Sequence, residues 1–300
     1  MAASSSRMAR GMLIAKSVSR NRPSPPPGCS QQPKNRIVMR NYSKTVGALA
    51  AASALVAGNA MAEIEGEVAV GYHNMYEFRF VDLGSDQVTA SVDLATSAGG
   101  FGFSAGAWYA AWDTPGAAGL AVNSTELDLY GGISYEIAGF ALELGYIYYY
   151  FPDTSTFGTG PGTGNTQELY LSAGYDFDFG LSLSSTWYYD FDEANGWYWD
   201  TSVGYSFTFN ECLALDLTAG VGFADGHGLQ GTPSLNPGST ADGFQGWYIS
   251  AALPWEFREG VTLTPYIKYT DGDSDLLTNV TNITTGEEHI VAGVSLGVGF

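Results

Sequence analysis

From Glu63 onward the chain alternates. In "FALELGYIYYY" (140–150) one face carries Phe140, Leu142, Leu144, Tyr146, Tyr148 and Tyr150, and the other Ala141, Glu143, Gly145, Ile147 and Tyr149. In 197–209, Trp197, Trp199, Thr201, Val203, Tyr205, Phe207 and Phe209 stand against Tyr198, Asp200, Ser202, Gly204, Ser206 and Thr208. Successive side chains of a β-strand point to opposite faces, so a period of two predicts strands. Twelve segments qualify: 64–80, 86–97, 100–113, 124–137, 139–151, 166–178, 180–191, 196–209, 212–224, 243–257, 260–271 and 287–300. Past Glu63 no apolar run approaches the roughly 18 residues of a membrane-spanning helix.

The connections alternate as well. Short links fall at Ala98-Gly99, Ala138-Gly139, Phe179-Gly180, Asn210-Glu211 and Glu259-Gly260. Longer ones lie at 114–123, 152–165, 225–242 and 272–286, with moderate links expected at 81–85 and 192–195. An even strand number, with tight turns on one side and larger loops on the other, describes an all-β, antiparallel, up-and-down transmembrane barrel of the outer-membrane type.

An antiparallel sandwich also alternates, but two features weigh against it. Aromatics stand near the strand ends of the apolar face, as Trp197, Trp199, Phe207 and Phe209 do around Val203. Interfacial girdles have that form, because Trp and Tyr bridge lipid and headgroup. Charge is the second feature. Residues 1–62 hold nine of the twelve Lys and Arg and no acid, so residues 63–300 hold 12 − 9 = 3 bases against 31 acids, a net of −28. Three bases cannot decorate a water-soluble surface, whereas a hydrated lumen can be acidic without them. The same charge repels phosphates and excludes nucleic-acid binding.

The break in charge coincides with a processing signal. Residues 39–62, "MRNYSKTVGALAAASALVAGNAMA", carry Arg40 and Lys44, then a short apolar core from Val46 to Val56, then Ala60-Met61-Ala62. That is the form of a secretory signal peptide, with cleavage expected before Glu63. Residues 1–38, rich in Ser, Arg and Pro, fit a mitochondrial transit peptide, but the simpler expectation is an upstream extension with Met39 as the start. Cys29 lies in that leader, and Cys212 is the single cysteine after Glu63, so no disulfide framework or metal cluster is expected there.

The C-terminal "IVAGVSLGVGF" (290–300) keeps its alternation to Phe300. In a closed barrel the last strand pairs with the first and leaves no open edge in lipid. Phe300 is therefore expected to face outward. By resemblance, a terminal phenylalanine preceded by alternate apolar residues is also the assembly signal read by the bacterial barrel assembly machinery.

Several stretches resemble the TorF-type family of bacterial outer-membrane porins: "YEFRFVDLGSDQVTASVDL" (76–94), "GFGFSAGAWYA" (100–110), "TELDLYGGISYEIAGFALELGYIYYYFP" (125–152) and "NTQELYLSAGYD" (165–176). They cover about the first half of residues 63–300, and the second half is similar in style only. The resemblance implies a barrel of unassigned substrate in the bacterial outer membrane, in contact with its lipids and lipopolysaccharide. One departure is Phe80 where the family pattern has Gly after Arg79, which questions a special turn at that point.

Parity assigns an interior. Arg79, Glu126, Asp128, Glu143, Glu168, Asp190, Asp200, Asp216 and Lys268 are expected to face the lumen as pore-lining residues, and Glu65, Glu67, Glu77, Asp93, Glu136 and Asp176 share that parity. Rings of carboxylates attract cations and repel anions. The expected function is a narrow, acidic, cation-preferring porin for small solutes, with Arg79 and Lys268 holding carboxylates across the lumen. A non-conducting barrel with a polar plug, or an adhesion barrel acting through its loops, is the alternative. An enzyme is the weaker expectation. His73, His227 and His289 are the histidines available as bases, and none belongs to an ordered catalytic motif. "DGDSD" (271–275) lacks the spacing of a calcium loop, and no metal or cofactor is expected. The sequons at Asn123, Asn279 and Asn282 read as loop composition.

Overall fold

The computed structural model describes residues 64–115, 121–152, 165–226, 242–272 and 288–300. The leader, the signal peptide and Cys29 lie outside them, as do His227, Asp273, Asp275, Asn279 and Asn282. Among the described residues no helix is long and apolar enough to cross a membrane, which leaves open a crossing by strands.

The strands are β1 (Glu65–Phe78), β2 (Val81–Ala98), β3 (Phe101–Pro115), β4 (Ala121–Ile137), β5 (Phe140–Tyr150), β6 (Thr166–Asp176), β7 (Leu181–Asp190), β8 (Gly196–Asn210), β9 (Leu213–Asp225), β10 (Gly243–Ala252), β11 (Trp255–Arg258), β12 (Val261–Gly272) and β13 (Glu288–Gly299). Neighbours in sequence are neighbours in space, all antiparallel. β10 and β11 lie end to end in one register against β12, Ala252↔Tyr266 and then Trp255↔Leu263. They are one stave of the wall, interrupted at Leu253-Pro254 because Pro254 and the facing Pro265 have no N–H to donate. Leu253 N–H still donates to the Pro265 carbonyl at 3.0 Å. The thirteen strands therefore make twelve staves.

The sheet closes on itself. β13 pairs with β12 from Val261↔Val298 to Asp271↔Glu288, and with β1 from Glu67↔Gly299 to His73↔Gly293. Phe300 completes the seam: its N–H donates to the Gly66 carbonyl and its carbonyl accepts from Gly66 N–H, both at 2.9 Å. Its ring is exposed and lies over Gly66, beside Leu94. Closure joins the last strand to the first, so the sheet has no free terminal strand, as a sheet in lipid requires.

The two faces follow from the alternation. Val68, Val70, Leu129, Ile133, Leu144, Leu171, Val203, Ile249 and Ile267 are exposed along the middle of the outer wall. Exposed aromatics flank them: Trp187, Trp197, Phe244 and Trp247 toward one rim, Phe101, Tyr135, Phe140, Phe207 and Trp255 toward the other. So broad an apolar belt would drive aggregation in water and is what a lipid-facing barrel needs. The rim nearest Phe300 carries the tight turns at 99–100, 138–139, 177–180, 211–212 and 259–260.

One connection departs from expectation. Residues 81–85 form no loop. β1 and β2 stay paired up to Phe78↔Val81, so only Arg79-Phe80 turns the chain. Both turn residues have positive φ, 50° and 70°, as a type I′ hairpin turn demands. The turn that Phe80 placed in question does form, without glycine.

Candidate functional site

The β1–β2 hairpin leaves the wall. β1 pairs with β13 only as far as His73↔Gly293, and β2 pairs continuously with β3 only from Val88↔Ala111 onward. Register shifts fall between Tyr76 and Glu77 on β1 and between Ser85 and Val88 on β2, where Asp86 has φ 55° and Gly84 φ 146°. Bulges bend a strand and sharpen its twist. Here they aim the hairpin tip into the barrel. A side chain at Gly84 would strike the backbone of Asp113 on β3, so glycine lets the hairpin pass close to the wall it leaves. Where β1 departs, Asn74 takes over from the ladder: its Nδ2 donates to Ile290 O at 3.0 Å, and its Oδ1 accepts from Ala292 N–H at 2.7 Å.

The tip then reaches the wall on every side. The Tyr76 hydroxyl donates to Glu126 on β4 at 2.6 Å, and Trp112 on β3 donates to Leu83 O at 2.8 Å. Arg79 meets Glu168 on β6 bidentately, Nη1–Oε1 and Nη2–Oε2 each at 2.7 Å. Its guanidinium carbon lies 4.5 Å from the Tyr188 ring centre, 4.4 Å from that of Tyr198 and 4.7 Å from that of Phe78. Phe80 packs with Tyr248 on β10, their ring centres 6.3 Å apart, and against Gly222 on β9. Glu77 forms an ion pair with Lys268 on β12 and accepts from Thr270 Oγ1 at 3.1 Å. Its other oxygen accepts from Phe80 N–H at 2.8 Å and secures the turn. A hairpin of β1 and β2 can reach β6, β9, β10 and β12 together only by crossing the lumen.

The crossing is filled. Phe80, Val81, Tyr170, Tyr188, Tyr198, Ala224 and Tyr248 form one buried cluster inside the barrel. Glu77, Arg79, Phe80, Tyr198, Tyr248 and Lys268 leave no water-sized cavity among them. Bidentate Arg–carboxylate pairs combine charge with fixed geometry. Burying one is costly unless its remaining groups are also met, and here the aromatic rings and the Tyr149 hydroxyl, 2.8 Å from Glu168 Oε2, contribute to that.

Arg79, Glu126, Asp128, Glu143, Glu168, Asp190, Asp200, Asp216 and Lys268 lie on the inner side, in different settings, whereas Glu65, Glu136 and Asp176, of the same parity, are exposed near the tight-turn rim. Arg79, Glu168 and Lys268 anchor the hairpin. Glu126 accepts from Tyr76, and Asp128 is buried in register between Trp108 and Tyr149. Asp200 accepts from the Tyr248 hydroxyl at 3.0 Å. Asp190 belongs to a turn: it accepts from Thr166 Oγ1 at 2.5 Å and from the N–H groups of Asp192, Ala194 and Asn195 at 2.9–3.1 Å. Glu143 accepts from Tyr170 at 2.5 Å and, like the half-buried Asp216, lies near the tight-turn rim, away from the hairpin. His73 points inward and bonds Tyr266 at 2.8 Å. His289 is buried on the same wall.

Tyrosine was the part not singled out. Tyr76, Tyr149, Tyr170 and Tyr248 each donate to an inward carboxylate, and Tyr130 does so to Asp93. The signal was present, since Tyr149 and Tyr198 share the parity of the acids. Tyr76 was hidden, because a strict period of two from Tyr72 puts it outside, and it is buried only because the hairpin leaves the wall and encloses both of its faces in the lumen.

Fold and site together define a closed β-barrel of the outer-membrane type whose own first hairpin crosses its interior. The chain belongs to the bacterial family described as "bacterial protein of unknown function (Gcw_chp)", whose model matches residues 58–297. No curated protein matches it. Among solved structures it is similar to a KdgM porin, with 12% identity over 77% of this chain and 97% of that one and a TM-score of 0.44. It is also similar to the COG4313 outer membrane channel from Pseudomonas putida F1, with 11% identity over 79% and 95% and a TM-score of 0.47. The NanC porin is similar at 14% identity over 78% and 98%, with a TM-score of 0.42. At such identities and scores the likenesses do not extend to a shared function.

Proposed function

We propose that this protein is an outer-membrane porin: a narrow, cation-preferring channel for small solutes, held closed in this conformation by its β1–β2 hairpin. The observation that carries the reading is a closed barrel, apolar outside, whose carboxylate-rich interior is crossed by a hairpin joined to the far wall through two ion pairs. A wall that served only as a scaffold would have no need of a charged interior, because an apolar core of the same volume is usually as stable or more so. A hydrated lumen carries carboxylates at little cost and selects cations through them. Outer-membrane lipid and lipopolysaccharide would surround the aromatic girdles, and the assembly machinery would read the strand ending at Phe300.

The test is the reversal potential of the purified protein in a planar bilayer under a KCl gradient. Cation selectivity is expected, and Glu143→Gln combined with Asp216→Asn, which leaves the hairpin contacts in place, should move the reversal potential toward zero. An unchanged value removes those two carboxylates from the conduction path. The close packing around Arg79 supports a second reading, a barrel that stays shut and serves as a structural or adhesion protein. It predicts no current even when the hairpin is released.

A further inference from the structure

Arg79 sits in its surroundings as a ligand sits in a receptor. The hairpin supplies the guanidinium, and the wall supplies what recognises it: the Glu168 carboxylate, bidentate at 2.7 Å, with the Tyr188 and Tyr198 rings at 4.5 and 4.4 Å. Glu168 is itself fixed by Tyr149, whose hydroxyl donates to Oε2 at 2.8 Å. All four wall residues are buried, and β5, β6, β7 and β8 each contribute one. A planar, permanently charged cation with forked donors fits a carboxylate edge-on and aromatic faces side-on. These wall residues thus surround a guanidinium as a receptor would, and the present occupant belongs to the same chain.

We propose that the Glu168–Tyr188–Tyr198 cage is a solute-binding site for small guanidinium-bearing organic cations, and that Arg79 occupies it as an internal competitor. A solute of that class entering the lumen displaces the arginine and releases the hairpin, so binding and opening are one exchange. The exchange balances chemically: one guanidinium replaces another on the same carboxylate, with no proton or bond transferred. Because occupancy of the cage and closure by the hairpin exclude each other, the solute opens the barrel only as far as it outcompetes an arginine held at high effective concentration. The inference deepens the channel reading and rests on it for the opening step, but the cage can be tested separately.

Methylguanidinium chloride is the probe, titrated calorimetrically against protein purified in detergent after export of the full chain, with sodium chloride at equal ionic strength as control. Folding of each variant is read from its heat-shifted gel mobility. Arg79→Ala, or Arg79→Gln if the first does not fold, is expected to bind methylguanidinium saturably in the millimolar range. Wild type should bind roughly tenfold or more weakly, and so should Arg79→Ala with Glu168→Gln. Equal binding by wild type and both variants overturns the cage. In the bilayer, wild type, which asks nothing of the variants' folding, should open more often as methylguanidinium is added, saturably and beyond the sodium control. A response no different from sodium overturns the exchange. Saturable binding to Arg79→Ala without current in any form would leave the cage standing and sink the channel.

Discussion

Arg79 and Phe80 occupy a backbone region that L-residues avoid, at a cost of roughly 1–2 kcal/mol each. Glycine at position 80 would remove that strain, and would also remove the ring that packs against Tyr248 and Gly222. Holding Phe80 there points to the tip contacts as the stronger effect. Glu168 is the residue on which they depend most. Glu168→Gln leaves a buried guanidinium without its counter-charge, and should destabilise the barrel by about 3–5 kcal/mol, read as a lowered urea midpoint in detergent. A change below about 1 kcal/mol would mean that the pair is effectively solvated. At this scale the sequence was partly legible. A period of two puts Glu126, Glu143, Glu168 and Lys268 inside, because inside and outside are all that the period encodes. It cannot tell that Arg79 meets Glu168, 89 positions away, across the lumen.

At the scale of elements, the hairpin differs from every other connection. Its end pairs with neither flanking strand and, unlike the β3–β4 end that also outruns its neighbours, it docks across the lumen on β6 and β12. The sequence shows the strands on either side but not this departure, since a bulge is one residue of slippage and leaves no composition signal. The segment 81–85, with its Gly, Ser and Asp, reads locally as a loop. It becomes strand because the turn at Arg79-Phe80 is only two residues long. Gly222 tests the docking. A methyl group there would collide with the Phe80 ring and the Tyr198 hydroxyl, while the outer wall would be untouched. Gly222→Ala should therefore dislodge the tip without unfolding the barrel, raising amide exchange across 79–83 by roughly tenfold or more. Unchanged protection with a normal heat-shifted band would show that the interior gives way around the methyl group and the docking is looser than described.

For the molecule as a whole, closure is the governing fact, and it was the most legible. Alternating faces, alternating connection lengths and a net of −28 over residues 63–300 leave little besides a lipid-facing barrel with an acidic interior. The seam through Gly66 and Phe300 is its last step. Deleting Phe300 removes two backbone hydrogen bonds and an outward ring. It should sharply reduce the heat-modifiable form recovered from outer membranes, and a full yield would separate Phe300 from assembly. What the sequence left open is how the enclosed volume is filled, because the hairpin that crosses it is only a few residues long and has no signature of its own. The most direct test is therefore a paired recording, in planar bilayers under a KCl gradient, of wild type and the Arg79→Ala variant, both verified as folded barrels. Rare or small cation-selective steps in wild type, becoming frequent and larger in Arg79→Ala, are the predicted result. Two folded barrels that both remain silent would contradict a gated channel.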